Sequence, residues 1–331
     1  MIERTLSNGT TIPALGLGCW AIGGQVYRDG KPTGWGAVDD NESIAAIRRG
    51  LDLGVRFFDT ANAYGGGHSE EILGQTIGNR ADVFIATKFG NYVDPVTKQG
   101  GTADRSPPGI MKAAEDSLRR LRRDRIDLYL LHVNSLPIAE AAPMFDTLDR
   151  LKAAGKIDAY GWSTDFPERA AAYADRKNFV AIEHSMNVFF RATALVEVIE
   201  KHDLLSLNRG PLAMGLLTGK FSPTSTLKDE IRAGTHAWLD YFKGGKPNPA
   251  LMAKLEAVRD LLRTDGRTLA QGALAWLWAR SPNTLPIPGF RTIAQVEENA
   301  GALAKGPLAA TVMAEIERVI VREPEGEPRE R

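Results

Sequence analysis

The feature that most constrains the fold of this chain is a repeat in which a short apolar run precedes a polar loop and an amphipathic segment. Within the amphipathic segments apolar residues recur every three or four positions, which is the periodicity of a helix. Eight apolar runs have the length of strands, at residues 15–18, 57–60, 83–88, 126–132, 158–163, 179–185, 204–208 and 284–289. Strands that alternate with helices form a parallel sheet, and eight units within 331 residues favour an α/β fold closed into a single (β/α)8 barrel.

Three segments lie outside this repeat. Residues 5–14 carry an Asn-Gly pair between two short strands, which predicts an N-terminal β-hairpin that caps the bottom of the barrel. The Gly-, Pro- and charge-rich stretch 221–248 predicts a long insertion after strand seven, and long loops of this kind are usually functional. The charged, proline-containing end predicts a disordered tail at 323–331, so we expect one domain over 1–322.

Composition excludes several classes of function. Lysine and arginine together number 41 and so do aspartate and glutamate, which leaves no basic surface excess for nucleic acid or an anionic membrane. Cys19 is the only cysteine and the five histidines show no ligand spacing, so we expect neither a disulfide nor a metal site. The start resembles no signal peptide and no apolar run reaches the roughly 20 residues of a membrane span. We expect a cytoplasmic protein, with monomer and homo-oligomer both open.

One motif suggests a different fold and is rejected. Gly16, Gly18 and Ala21 match the glycine spacing of a Rossmann dinucleotide-binding turn. The following residues 22–36 have no helical period, so no helix begins there to receive a pyrophosphate. We interpret Asp40 as the N-cap of the next helix rather than as the acidic residue of that motif.

Four polar residues stand where a barrel enzyme places its active site. Asp59, Lys88 and His132 close three consecutive strands, and Tyr64 lies in the loop after Asp59. Tyrosine is a poor acid at neutral pH, but a neighbouring ammonium stabilises the phenolate, so we expect Lys88 to lower the Tyr64 pKa. Burial of that ammonium requires an anion, which we expect Asp59 to supply. His132 is expected to hydrogen-bond a substrate oxygen and to assist proton transfer.

The motifs around these residues give the chain a family resemblance. FFDTANAYGGGHSEEILG, IATKFG and DLYLLHVN resemble the segments of aldo-keto reductases that carry the catalytic Asp, Tyr, Lys and His. PLAMGLLTGKF and IPGFRTIAQVEENAGA are similar to the cofactor-binding segments that follow strands seven and eight of that family. The resemblance covers residues from about 5 to 303 and implies a (β/α)8 barrel in which Asp59, Tyr64, Lys88 and His132 form the catalytic tetrad.

The resemblance also implies NADPH or NADP+ as cofactor. Ser163 matches the serine that contacts the nicotinamide carboxamide, and Arg291 is the candidate for the 2′-phosphate because guanidinium matches phosphate geometry, which favours NADP over NAD. The residues carried over for the cofactor are Ser163, Thr164, Glu183, Asn208, Arg209, Pro211, Leu212, Gly215, Leu217, Lys220, Gly289, Arg291, Gln295, Glu298 and Asn299.

Three of these depart from the family pattern. Thr164 stands where asparagine is usual, Glu183 where glutamine is common, and Arg209 where a tyrosine usually stacks on the nicotinamide. The oxidised nicotinamide ring is cationic, so an ionised Glu183 favours the oxidised form unless Arg209 neutralises it. We hypothesise that Glu183 and Arg209 form a charge pair that tunes the cofactor preference.

The implied reaction is the reduction of an aldehyde or ketone to an alcohol, or its reverse, on a small-molecule substrate. Trp20, Trp35 and Phe89 are candidates for the walls of the substrate pocket. Two alternatives stay open from the sequence: a Schiff-base lyase acting through Lys88, and a regulatory subunit, because the scaffold also resembles potassium-channel β subunits.

Overall fold

The structure is a computed structural model that describes residues 2–6, 9–322 and 325. Its strands in chain order are β1 (Glu3–Thr5), β2 (Thr11–Pro13), β3 (Gly16–Gly18), β4 (Tyr27–Arg28), β5 (Lys31–Pro32), β6 (Phe57–Asp59), β7 (Phe84–Phe89), β8 (Tyr92–Val93), β9 (Gly100–Gly101), β10 (Ile126–Leu131), β11 (Ile157–Ser163), β12 (Phe179–Ser185), β13 (Leu205–Arg209), β14 (Phe242–Lys243), β15 (Lys246–Pro247) and β16 (Thr284–Pro286). Its α-helices are α1 (Asp40–Asp52), α2 (His68–Ile77), α3 (Pro107–Leu121), α4 (Ile138–Ala153), α5 (Pro167–Tyr173), α6 (Thr193–Lys201), α7 (Pro249–Leu262), α8 (Leu269–Arg280), α9 (Ile293–Gly301) and α10 (Ala310–Val319).

Eight parallel strands form the central sheet, in the order β3, β6, β7, β10, β11, β12, β13 and β16. The sheet closes between its first and last strands, where the Gly18 amide donates to the Pro288 carbonyl at 3.0 Å and Gly18 bridges Gly289. Each of the eight predicted runs overlaps one of these strands to within a few residues at its ends, so the (β/α)8 prediction is confirmed. The last strand is shorter than predicted and ends at Pro286, since proline cannot donate to a ladder.

Alternation along the strands separates two apolar regions. Interior-facing residues such as Phe57, Leu128 and Leu207 pack with one another inside the barrel, while the neighbouring residues of each strand pack outward on the helices. Leu6 and Ile12 of the N-terminal hairpin join the interior cluster, which confirms the predicted hairpin and its place at the barrel bottom. The Asn-Gly turn of that hairpin lies partly outside the described residues, as does the predicted disordered tail at 323–331 apart from one position.

The first long helix begins one residue earlier than predicted. Asp39, not Asp40, is its N-cap, because the Asp39 carboxylate accepts the amides of Asn41 at 2.9 Å and Glu42 at 3.4 Å. Asp40 is instead the first helical residue. The rejected glycine motif lies on the first barrel strand, and only a 3-10 turn at Ala21–Gly23 follows it.

The insertion at 221–248 is ordered by contacts on both sides of the barrel mouth. The Ile231 amide donates to the Gly34 carbonyl at 2.7 Å, and Arg232 donates to the Met214 carbonyl at 3.0 Å. Arg232 is buried, pairs with Glu230 at 2.5 Å and lies over the Trp35 ring at 4.9 Å. The insertion therefore connects the loop after strand one with the segment after strand seven.

Candidate active site

The register of three neighbouring strands brings the predicted polar residues together. Asp59 is the last residue of β6, Lys88 faces the barrel interior from β7, and His132 follows β10 directly. Parallel pairing aligns Asp59 with Ala86 and Lys88 with Leu130, so these side chains reach the same carboxyl end of the sheet. His132 does not close its strand as predicted, since that strand ends at Leu131.

Lys88 is the centre of the cluster. Its ammonium is fully buried and donates to both Asp59 carboxylate oxygens, at 2.7 and 2.6 Å, and to the Thr60 carbonyl at 2.8 Å. It also lies 3.3 Å from the Tyr64 hydroxyl. The predicted ion pair between Asp59 and Lys88 is therefore present, and it holds the ammonium against the phenol.

Tyr64 is placed by a tight turn of glycines between β6 and α2. Gly65 has a φ of +64°, and a Cβ at this position would lie 1.9 Å from the Gly23 carbonyl oxygen, so only glycine allows the turn to pack against the loop after strand one. The Trp20 ring stacks on Tyr64 with centroids 6.0 Å apart. These contacts fix the phenol at the mouth of the barrel.

The electrostatics of the pair differ from the prediction. Burial opposes the charged form of Lys88, but Asp59 and Glu183 outweigh it and raise the lysine pKa, so the ammonium is permanent. Burial also raises the Tyr64 pKa; Lys88 acts in the opposite direction, as predicted, but does not prevail. The prediction of a lowered Tyr64 pKa is wrong for this state, because the desolvation of the phenolate exceeds the attraction of the ammonium.

His132 faces Tyr64 with an edge-to-face ring contact at 5.8 Å between centroids. Burial, followed by the charges of Lys88 and Arg209, holds the His132 pKa well below its ordinary value, so the imidazole is neutral. Its buried Nδ1 finds no hydrogen-bond partner among the described residues. A neutral imidazole is suited to hydrogen-bonding an oxygen of a bound molecule.

Glu183 and Arg209 do not pair with each other, so that hypothesis is wrong. Glu183 points into the barrel, where its Oε2 lies 3.1 Å from the Lys88 ammonium and its Oε1 accepts from the Ser163 hydroxyl at 3.4 Å. Arg209 instead pairs with Asp165 at 2.6 Å. Asp165 also accepts the Ser185 amide at 2.8 Å, which fixes the carboxylate beside Arg209.

Several residues carried over for the cofactor point away from the barrel interior. Asn208 faces outward and donates to the Ser206 hydroxyl at 2.9 Å, because it alternates with the interior residues Leu207 and Arg209. Thr164 donates to the Asn134 carbonyl at 2.7 Å, and Leu217 is buried in the outer core. The structure gives these three side chains no exposure to the barrel mouth.

The segment after strand seven has an unusual backbone. Ala213, Met214 and Gly215 follow one another with φ values of 49°, 54° and 93°. The Ala213 amide donates to the Gly210 carbonyl at 2.9 Å and the Gly215 amide to the Leu212 carbonyl at 2.8 Å, which holds this left-handed turn together. Pro211 and Leu212 lead into this turn, and the exposed Lys220 follows it. Partial burial and the neighbouring Arg232 lower the Lys220 pKa.

The segment after strand eight lies beside the loop after strand one. Arg291 donates to the Trp35 carbonyl at 3.2 Å and to the Ala37 carbonyl. The Arg291 amide donates to the Gln295 side chain at 2.7 Å. Gly289 is exposed, Glu298 is half-buried, and the side-chain amide nitrogen of Asn299 is buried with no hydrogen-bond partner in the described part of the chain.

Two of the three predicted pocket residues stand by Tyr64. Trp20 stacks on Tyr64 and contacts Trp35 edge-to-face at 5.4 Å between centroids. Phe89 does not line this space: it points outward from β7, is 1% exposed and packs on Tyr129 at 4.9 Å. The reason is strand alternation, because Lys88 takes the interior side.

Comparison with known proteins agrees with this geometry. The aldo/keto reductase family model matches residues 14–321. The chain belongs to this family. An aldo-keto reductase of Schizosaccharomyces pombe, whose name specifies NADP(+), is 30% identical over 93% of this chain and 88% of its own length.

Two solved structures cover nearly all of this aldo/keto reductase. A glycerol dehydrogenase from Gluconobacter oxydans aligns with a TM-score of 0.80 and 29% identity, covering 98% of each chain. An aldo-keto reductase from Klebsiella pneumoniae in complex with NADPH aligns with a TM-score of 0.71 and 25% identity, covering 100% of this chain and 99% of that one.

Sequence reasoning missed two residues of the site. Thr60 supplies a main-chain carbonyl to Lys88, a role that no side-chain pattern reveals. Asp165 was detectable, since it is an ionisable residue placed just beyond an apolar strand, as Asp59 and Lys88 are. Among the described residues, no group of His, Cys, Asp or Glu is arranged to hold a metal ion. No described helix combines the length and apolar character needed to cross a membrane.

Proposed function

We propose that this aldo/keto reductase interconverts an aldehyde or ketone and its alcohol with NADP(H), with Tyr64 as the general acid and base. The observation that carries the proposal is the Lys88 ammonium, which is bound by both oxygens of Asp59 and lies 3.3 Å from the Tyr64 hydroxyl. An invariably charged lysine beside a phenol stabilises the phenolate that proton donation leaves behind.

The residues after strands seven and eight fit a dinucleotide phosphate. Lys220 and Arg291 supply positive charge, and the unpartnered buried side-chain amide of Asn299 lies on the adjoining helix. We assign the pyrophosphate to the segment after strand seven and the 2′-phosphate to Arg291. The Arg291 guanidinium either gives up its hydrogen bonds to the carbonyls of residues 35 and 37 or binds the phosphate while keeping them. The resemblance to an NADPH-bound reductase supports the same choice of cofactor.

When bound, the cofactor supplies hydride to the carbonyl carbon or accepts it in reverse. The protein's own residues handle the oxygen. The neutral His132 donates a hydrogen bond that orients the carbonyl, and Tyr64 passes its proton to the oxygen as negative charge develops there. The raised Tyr64 pKa keeps the proton in place until the oxygen is a stronger base than the phenolate. Lys88 then holds the phenolate until it is reprotonated.

The Schiff-base alternative fits the site poorly. A lysine nucleophile must lose its proton, whereas Lys88 is enclosed by carboxylates that raise its pKa. Trp20 and Trp35 give the mouth an aromatic wall, which suits a substrate with an apolar or sugar-like face.

The test is the Tyr64→Phe variant, assayed for NADPH oxidation across aldehydes, ketones and sugars. Loss of the general acid lowers kcat by about a hundredfold to ten-thousandfold while NADPH still binds. Tyr92→Phe, at a more exposed tyrosine, is the matched control and retains activity. Full activity in Tyr64→Phe contradicts the proposal. So does the absence of NADPH oxidation by the wild type with every substrate, if borohydride reduces an imine between Lys88 and a substrate carbonyl to a stable secondary amine.

A further inference from the structure

The Lys88 ammonium has two buried carboxylates within ion-pair distance rather than one. Asp59 lies at 2.6 Å and Glu183 at 3.1 Å, and the three side chains are between 0% and 4% exposed. Asp59 has the geometry of hydrogen bonds, whereas Glu183 Oε2 is near the ammonium without forming one. The pocket thus holds one more acidic side chain than basic ones at its centre.

No other cation of the site compensates Glu183. Arg209 is committed to Asp165, which makes that pair neutral in itself. His132 is an uncharged imidazole, and Tyr64 and Ser163 carry no positive charge. The cost of the second carboxylate falls on Asp59, because burial first and the neighbouring Glu183 next raise the Asp59 pKa well above its ordinary value. A further positive charge in the site would therefore stabilise both carboxylates in their ionised form.

We propose that Glu183 biases the enzyme toward binding the oxidised cofactor more tightly than the reduced one. The inference rests on the proposed function, because it requires a nicotinamide ring beside Tyr64. The carbonyl that receives a proton from Tyr64 must also exchange hydride with that ring, which places the ring next to the phenol. Two contacts, of 3.3 and 3.1 Å, join the phenol through Lys88 to Glu183.

The physical reason is the charge of the ring. The oxidised ring carries a positive charge and the reduced ring is neutral, so only the oxidised form is attracted by the surplus carboxylate. Burial strengthens this attraction because the protein interior screens charges less than bulk water does. The second oxygen of Glu183 accepts from Ser163 at 3.4 Å, which fixes the carboxylate on the side of the pocket where that serine stands.

The experiment measures the dissociation constants of NADP+ and NADPH by quenching of intrinsic tryptophan fluorescence, without substrate. We expect the ratio of the NADPH constant to the NADP+ constant to fall about tenfold in Glu183→Gln, equivalent to about 1.4 kcal/mol. Glu183→Met is a second neutral variant with the same expected shift, and Glu183→Asp retains the charge and keeps a ratio near that of the wild type. Circular dichroism verifies that each variant is folded.

Glu70→Gln is the matched control, since Glu70 is also a fully buried carboxylate but pairs with Arg120 at 2.7 Å on the helix side of the barrel. Its ratio stays at the wild-type value. The inference is overturned if the ratio is unchanged in Glu183→Gln or Glu183→Met, whichever of the two is folded. Such a result would mean that Glu183 and Asp59 share a proton, which already balances the second negative charge. Failure of the wild type to bind either nucleotide refutes the proposed function instead, so the two failures are distinguishable.

Discussion

The arrangement of two carboxylates around one ammonium predicts that Asp59 and Glu183 substitute for each other as counter-ions. In Asp59→Asn the ammonium keeps Glu183 at 3.1 Å, and in Glu183→Gln it keeps both hydrogen bonds to Asp59. We therefore expect Asp59→Asn to lose only about 1 to 2 kcal/mol of unfolding free energy, the scale of one hydrogen bond to a charged group, and Glu183→Gln to change the unfolding free energy little, because Glu183 Oε2 forms no hydrogen bond to Lys88.

The double variant leaves Lys88 buried with no carboxylate. Breaking a buried ion pair in this way costs about 3 to 5 kcal/mol beyond what either single change removes. Chemical denaturation of the four proteins at neutral pH forms a double-mutant cycle, and we expect a coupling free energy of at least about 2 kcal/mol. Asp127→Asn is the control partner, because Asp127 pairs with Arg123 at the other end of its strand. The losses of unfolding free energy in Asp127→Asn and Asp59→Asn should add in the corresponding double variant.

Additive losses in the Asp59 and Glu183 cycle, within about 0.5 kcal/mol, would refute the shared counter-ion. So would a loss of the full 3 to 5 kcal/mol in Asp59→Asn alone, since Glu183 would then contribute nothing to holding the ammonium.

Two further predictions concern the support of the site. Gly65→Ala should lower kcat by about a hundredfold through displacement of Tyr64, whereas Gly244→Ala, at a similar positive φ with open space around it, should not; steady-state kinetics of both variants decide this. Burial lowers the His184 pKa to about 4, so the unfolded chain binds more protons between pH 6.5 and 4 and stability is lost as the pH falls through this window. The loss of unfolding free energy between pH 7 and pH 5 should be about 2 kcal/mol smaller in His184→Gln than in the wild type. An equal loss in the two proteins would contradict this.

The barrel was predictable because its signal is repeated. Each strand run and each helical period is local, and eight repetitions compensate for errors of one or two residues at the ends. The capping of the first long helix shows the size of such errors, since adjacent aspartates at 39 and 40 are equivalent to a sequence reader and only the backbone selects Asp39.

The proximity of Asp59, Tyr64, Lys88 and His132 was predictable for the same reason, because strand ends meet at one side of a parallel barrel. The sequence did not reveal, for residues around this cluster, which side chains face the barrel interior and which face the helices. Phe89 and Asn208 were placed at the mouth by their position in the chain, but a one-residue step along a strand turns each of them outward. Pairing across the barrel was equally hidden: Glu183 has Lys88 as its neighbour and Arg209 has Asp165, although both choices look equivalent in sequence.

The raised pKa of Tyr64 and the strong electrostatic effect of the second carboxylate both follow from burial. Trp20 stacks on Tyr64 and contacts Trp35, and the burial of Lys88, Asp59 and Glu183 makes an unbalanced charge among these three side chains effective. Desolvation raises the Tyr64 pKa, and the negative charge of Glu183 raises it further, against the attraction of the Lys88 ammonium for the phenolate. Desolvation and Glu183 both disfavour the Tyr64 phenolate. The negative charge of Glu183 in addition favours a positively charged nicotinamide ring nearby. We therefore propose that Asp59, Tyr64, Lys88 and His132 carry the carbonyl chemistry, while Glu183, which lies outside this set, biases the site between the two oxidation states of the cofactor.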